Sequence, residues 1–243
     1  HGIILAKNQH AKEYGIVTAE TIWQAKKKCP GLVLVRPHMS QYKEFCTKIN
    51  AIYQRFTDMV EPFSIDESWL DVTASQMLFG SGREIADTIR ETVKNELGLT
   101  LSAGVSFNKT FAKMGSEYKK PDATTEITRE NYRDLLWPLP AGELFGVGKA
   151  TSQKLAKAGI KTIGDIAMAD KKYLTALLGK VGTVIWEHAN GIDDSPVSLY
   201  TEREPVKSVG NGITFKRDLV TGDDIAVAVK ALSDTVAGRL RSY

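Results

Sequence analysis

Met59-Val60-Glu61-Pro62-Phe63-Ser64-Ile65-Asp66-Glu67-Ser68-Trp69-Leu70-Asp71-Val72 is the stretch on which the fold turns. Its apolar residues change from helical to strand spacing: Val60, Pro62-Phe63 and Ile65 on one side, Trp69-Leu70-Asp71-Val72 on the other. The two extended runs meet near Asp66-Glu67, which predicts a hairpin. Adjacent carboxylates on a straight strand point to opposite faces, so Asp66 and Glu67 converge on metal only where the backbone bends. Pro62 and the small Ser64 and Ser68 permit that bend. Hard cations such as Mg²⁺ prefer carboxylate oxygens, and a two-metal site needs a bridging carboxylate. Asp66 is the candidate bridge and Glu67 the candidate second ligand, although an exposed turn with two acids reads the same way.

Outward from the hairpin, Ile85, Ile89, Val93 and Leu97 predict a helix from about Gly82 to Leu97, closed by Gly98. A strand over Leu99–Ser106 and a helix over Asn108–Tyr118 follow. Strand, strand, helix, strand, helix is the order of an α+β sheet with helices on one face, and the pattern calls for one more strand ahead of it. Before the hairpin, Tyr42, Phe45, Cys46, Ile49, Ile52, Tyr53 and Phe56 mark a strong amphipathic helix, with Cys46 a core residue on its stripe. The opening residues read as a helix over Ala6–Tyr14 ending at Gly15, a second helix capped by Thr18 and running to Cys29, and a buried strand, Leu32-Val33-Leu34-Val35.

Trp137-Pro138-Leu139-Pro140 reads as a stiff link at a domain boundary. From Gly142 to about Asn190 a small all-helical unit with short loops is expected, and a second boundary falls near Asp193-Asp194-Ser195-Pro196. Beyond Pro205 come one strand, Val206–Lys216, and one amphipathic helix with Ile225, Val229, Leu232, Val236 and Leu240. One strand and one helix form no core alone. The expectation is a chain cut inside its last domain and, since it starts with His1, at the front too.

The 243 residues, 42% hydrophobic and 25% charged, suit a globular chain of one large or two to three small domains and exclude disorder, collagen and coiled coil. No apolar run approaches the roughly 18 residues of a membrane span, and the N-terminus lacks a signal-peptide layout. Cys29 and Cys46 are too few for a disulfide framework or zinc site, which points to a reducing cytoplasm. The net charge of +3 decides little, but its distribution is uneven. Asp58, Glu61, Asp66, Glu67 and Asp71 give the stretch from Asp58 to Asp71 a charge of −5, with no Lys or Arg. Leu101–Lys120 and Ala141–Lys161 each carry four lysines against one glutamate. An acidic knot between basic flanks fits a site that gathers cations centrally and polyanions around it.

A second candidate site is Leu144-Phe145-Gly146-Val147-Gly148-Lys149, followed by Ser152, Leu155, Gly159-Ile160 and Thr162-Ile163-Gly164-Asp165-Ile166. Two short helices joined at Gly159-Ile160, with Thr162 and Asp165 as a capping box, make a helix-hairpin-helix. Gly146 and Gly148 open the first helix without Cβ obstruction, where unpaired N–H groups and the helix dipole suit a phosphate. Such a unit reads backbone, not bases; a plain helical hairpin is the other reading. Lys12, Lys109, Lys113, Lys119 and Lys120 gain value only in context, and no histidine is placed for catalysis.

Ser64-Ile65-Asp66-Glu67-Ser68-Trp69-Leu70-Asp71, Ala103-Gly104-Val105-Ser106-Phe107-Asn108-Lys109-Thr110-Phe111-Ala112-Lys113, Lys119-Lys120-Pro121-Asp122 and Gly146-Val147-Gly148 occur in the order and spacing of the Y-family DNA polymerases. The chain resembles the DinB type of that family over essentially its whole length. The resemblance implies a multi-domain right-hand polymerase: fingers over 1–57, a ferredoxin-like palm over 58–138, a helical thumb with the helix-hairpin-helix over 139–200 and the start of an α+β little finger over 201–243. By position, Asp66 and Glu67 would bind the catalytic metals and Lys120 the incoming triphosphate. Lys12 would reach the triphosphate too, with Gln9 standing where the family commonly has tyrosine. Gly146, Val147, Gly148 and Lys149 would contact DNA. The family's N-terminal strand, with a further metal-binding Asp and an aromatic gate, has no counterpart here.

The implied activity is template-directed, translesion-type DNA synthesis: attack by a primer 3′-hydroxyl on the α-phosphate of a deoxynucleoside triphosphate, assisted by two Mg²⁺. The implied partners are primer-template DNA, deoxynucleoside triphosphates and, through a C-terminal end not in this sequence, a sliding clamp. Two other readings keep part of the pattern. A nucleotide cyclase on a similar palm has no need of the Gly146–Asp165 unit, and a non-catalytic helix-hairpin-helix DNA-binding repair protein has no need of the carboxylates.

Overall fold

In a computed structural model, residues 2–202 and 206–242 are described. In chain order the elements are α1 (Gln9–Glu13), α2 (Ile22–Lys28), α3 (Met39–Tyr53), β1 (Val60–Pro62), β2 (Ser68–Leu70), α4 (Gln76–Phe79), α5 (Gly82–Leu97), β3 (Ala103–Ser106), α6 (Lys109–Tyr118) and β4 (Thr124–Ile127). Then follow α7 (Tyr132–Leu136), α8 (Lys149–Lys157), α9 (Ile163–Met168), α10 (Lys171–Leu178), α11 (Lys180–Ala189) and α12 (Gly222–Leu240). The chain divides into two compact units, one of residues 1–38 with 203–243 and one of residues 39–202. Among the described residues no helix is long and apolar enough to cross a membrane.

In the unit 39–202, β1 and β2 form the expected antiparallel hairpin, with Val60 opposite Leu70, Glu61 opposite Trp69 and Pro62 opposite Ser68. β3 and β4 pair in parallel, Ala103 beside Thr124 and Ser106 beside Ile127, with α6 as the crossover. The strands make two separate two-stranded ladders, not one sheet. β4, Thr124–Ile127, is an additional strand after α6, buried at three of its four positions, and its Thr-Thr-Glu-Ile sequence carries little apolar alternation; among the described residues no named strand precedes the hairpin. The strand expected over 99–106 is confined to its last four residues. Helix α5 has the ends its sequence specifies, a Ser81/Glu84 capping box and Gly98 in the left-handed region at φ 66°.

Two cores fill this unit. Ile85, Ile89 and Val93 of α5 pack against Ile52 of α3, with Ile49, Tyr53, Phe56 and Leu70 partly buried around them. This core takes residues from both sides of residue 57, and the compact unit begins at Met39. The second core runs without interruption from Phe111, Met114, Ile127 and Leu136 into Leu144, Leu155, Ile163, Ile166, Leu174 and Ile185. The proline-flanked stretch between these groups is anchored: Trp137 Nε1 donates to Ala189 O at 3.1 Å, and Ile163 N to Leu139 O at 2.9 Å.

In the other unit, Ile4, Ala11, Ile16 and Ala25 form a small core under α1 and α2. Helix α1 is shorter than the expected Ala6–Tyr14 span, starting at Gln9 under Asn8, which caps it by accepting from Ala11 N. Helix α2 begins at Ile22 under a Thr21/Gln24 capping box, so Thr18 is not its cap. Leu32–Val35 is not a strand; Val33 and Val35 are 82% and 83% exposed. Val206–Lys216 is not a strand either. A short apolar run becomes a strand only where a neighbour completes its backbone hydrogen bonds, and among the described residues neither run pairs in a ladder. Helix α12 forms as expected, but Ala228 alone of its residues is buried.

Candidate active site

The hairpin tip is closed by main-chain bonds from Phe63 N and Ser64 N to Glu67 O at 2.9 and 3.2 Å. The bend brings the two acids together: Ser64 Oγ lies 2.8 Å from Asp66 Oδ1 and 3.1 Å from Glu67 Oε2. Asp66 is exposed and Glu67 half-buried. Behind them stands α6, and its position follows from glycine. A Cβ on Gly104 of β3 would lie 1.8 Å from Ala112 O, so the helix backbone rests directly on the strand. Asn108 Oδ1 caps α6 through Phe111 N at 2.7 Å, and Asp193 accepts from Thr110 N and Thr110 Oγ1 at 3.0 and 2.8 Å.

From that helix two lysines reach the hairpin. Lys109 Nζ pairs with Glu61 Oε2 at 2.6 Å, while its carbonyl accepts from Trp69 Nε1 at 3.1 Å. Glu61 also accepts from Ser198 N at 2.8 Å. Partial burial raises the Glu61 pKa, and the Lys109 and Ser198 donors outweigh it, leaving it below the ordinary value. One helical turn on, Lys113 Nζ donates to Glu67 Oε1 and, at 2.8 Å, to Glu117 Oε1. The same Glu117 oxygen accepts from Lys120 Nζ at 2.7 Å. Glu67, Lys113, Glu117 and Lys120 thus form one alternating ladder. Partial burial disfavours the Lys113 ammonium, but bonds to Glu117 and Glu67 prevail and raise its pKa. For Glu117 burial acts upward, and Lys113 and Lys120 together hold it low.

The acidic knot of the sequence does not assemble as one cluster. Asp71 Oδ1 accepts from Thr73 N at 2.9 Å, and Glu61 is matched by Lys109. Asp66 and Glu67 alone share a partner. Among the described residues no group of three or more His, Cys, Asp or Glu side chains could hold a metal ion. The donor chemistry of the pair, hard carboxylate oxygens, suits a hard divalent cation as a partial ligand set. The structure therefore brings Asp66, Glu67 and Lys120 into one connected system. Gln9 and the exposed Lys12 lie on α1 in the other compact unit. Ser64, Lys109, Lys113 and Glu117 are the members that sequence reading left without a role. The i,i+4 and i,i+3 spacings of Lys113, Glu117 and Lys120 were the signal for part of the ladder.

The helix-hairpin-helix is present. Gly146 has φ +91°, and Gly148 stands at the N-terminus of α8 with no side-chain cap and no atom within 4 Å of a built Cβ. The first N–H groups of a helix have no partner within it, and Lys149 beside them is exposed. Val147 behaves differently: it is buried, and its N–H donates to Leu144 O at 2.9 Å, so it anchors the loop from inside. The Thr162/Asp165 capping box forms on both sides. Phe145, next to Gly146, packs edge-on against Phe63 and Trp69 of the carboxylate hairpin, with centroids 5.9 and 6.2 Å apart.

A profile of the impB/mucB/samB family matches residues 1–117, and one described as the DNA polymerase-iota thumb domain matches 142–193. DNA polymerase IV of Acetivibrio thermocellus is 48% identical over 243 residues, covering 100% of this chain and 61% of that protein. The chain belongs to the Y family of DNA polymerases. DNA polymerase IV of Clostridium acetobutylicum is 40% identical, covering 99% of the chain and 60% of that relative. The chain thus spans about 60% of the length of these curated relatives. Among solved structures, a Y-family polymerase chimera of Dbh and Dpo4 superposes with a TM-score of 0.86 at 25% identity, covering 98% of this chain and 68% of that one. DinB from Sulfolobus solfataricus gives 0.73 at 27% identity, over 81% of this chain and 58% of that one. The α+β class expected from element order is that of these Y-family structures.

Proposed function

We propose that this chain carries the palm and thumb chemistry of a template-directed DNA polymerase of the translesion type, extending a primer 3′ end with deoxynucleotides. The observation that carries the reading is the hairpin tip at which Asp66 and Glu67 converge on Ser64, backed by the ladder that ends at Lys120. Relatives named DNA polymerase IV support it, as does a similar structure described as an insertion ternary complex of Dbh DNA polymerase.

In this reading Asp66 and Glu67 hold divalent ions, Mg²⁺ in the cell. Bound there, two such ions supply stabilisation of the attacking oxygen and the leaving pyrophosphate. Lys120, and Lys12 with Gln9 beside it on α1, take the triphosphate. Gly146, Gly148 and Lys149 take the phosphates of primer-template DNA through an uncapped helix N-terminus, with Val147 holding the loop in shape. Residues 1–57 serve as fingers, 58–138 as palm, 139–200 as thumb and 201–243 as the start of the little finger.

Asp66→Ala in the full-length protein tests the reading. Loss of most primer extension at saturating Mg²⁺, at about a hundredfold or more, with an unchanged melting temperature is expected. Normal extension rates would overturn the metal assignment.

A further inference from the structure

Lys113 is 18% exposed at its side chain, and its ammonium touches two carboxylates that belong to different parts of the fold: Glu67 on the hairpin and Glu117 one turn along its own helix. Glu67 divides its two oxygens, Oε1 toward Lys113 and Oε2 toward Ser64. A cation approaching Glu67 thus meets an oxygen already engaged by a positive charge. Lys113 has somewhere else to go, because Glu117 already accepts from it.

We propose that Lys113 is a positioning residue that occupies Glu67 while no metal ion is bound and is drawn onto Glu117 when an ion takes its place. The proposal rests on the reading of Asp66 and Glu67 as metal ligands and adds a function for the residues behind them. Lys113 keeps Glu67 compensated and correctly turned at a half-buried site, where an unpaired carboxylate is costly. It also weakens metal binding, since an ion and an ammonium compete for one oxygen and repel each other over a few ångströms. Glu117 sets the balance by sharing the ammonium. Its oxygen is also shared with Lys120, so two lysines draw on one acceptor.

The test is Mn²⁺ titration of the full-length protein without DNA or nucleotide, followed by the electron paramagnetic resonance signal of the free ion, with melting temperatures taken alongside. Lys113→Met is expected to tighten Mn²⁺ binding at least threefold, and Lys113→Arg, which keeps the charge, to stay within twofold of wild type. Glu117→Gln leaves Lys113 to Glu67 alone and is expected to weaken binding about threefold, an effect that shrinks when Lys113→Met is added. Lys113→Gln serves as the neutral variant if Lys113→Met does not fold. Unchanged or weaker binding in the neutral variants, with Glu67→Gln still weakening it tenfold, would overturn the role of Lys113 and leave the metal reading standing. Mn²⁺ binding unaffected by Glu67→Gln would overturn the metal reading and this proposal with it.

Discussion

A methyl group at Gly104 would sit 1.8 Å from the carbonyl oxygen of Ala112 and 2.5 Å from the amide nitrogen of Ser116. Both are backbone atoms of α6, so the clash is relieved only by lifting the helix, and with it Lys109 and Lys113, off the hairpin. Gly104→Ala is expected to cost about 3 kcal/mol, read as a fall in melting temperature on the order of 10 °C, and to lower activity beyond what the folded fraction accounts for. Asp193 gives a pH-dependent counterpart. Partial burial raises its pKa, while donors from Ser195 and Thr110 outweigh burial and hold it below the ordinary aspartate value. A depressed folded-state pKa contributes stability that is complete above the unfolded value and is lost as pH falls through the folded one. Melting temperature should therefore drop as pH falls below about 4, and Asp193→Asn should flatten that part of the curve. An unchanged acid limb in Asp193→Asn would assign the loss to other carboxylates.

Among the elements, the uncapped N-terminus of α8 and the α6 ladder have different relations to charge. Open space around Gly148 allows a phosphate to approach the backbone, and each phosphate neutralised releases counterions. Gly148→Val is expected to weaken duplex binding several-fold without destabilising the fold, because its φ of −80° is open to any residue. Wild-type binding should fall steeply between low and moderate salt and be indifferent to base sequence, as fluorescence anisotropy would show. Affinity flat in salt and unaltered by Gly148→Val would remove α8 from the DNA contact.

For the whole molecule, both larger cores lie within residues 39–202. A polypeptide of residues 39–202 is expected to fold with a single cooperative thermal transition, since its apolar contacts close on themselves across the Trp137–Pro140 stretch. Two separate transitions, on either side of that stretch, would show that the continuous core from Phe111 to Ile185 does not act as one. The covering of α12 is a different case, with Ile225 and Val229 half exposed although they belong to its apolar stripe.

What could be read in advance was local. The hairpin at Asp66-Glu67, the closure of α5 at Gly98, the helix after Asn108 and the Thr162/Asp165 cap each depend on residues a few positions apart, so spacing and cap chemistry suffice. Leu32–Val35 and Val206–Lys216 carry strand-like sequence without forming strands, and β4 forms without such a sequence, for one reason: a strand exists by virtue of its partner, and hydrophobicity does not name the partner. In the site, sequence alone determined that two carboxylates would stand together at a bend. Tertiary structure decided which lysines face them, because Lys113 lies 46 residues from Glu67 and meets it only where a glycine lets α6 rest on β3. Contacts of that kind depend on the close approach of two backbones, which no local pattern records.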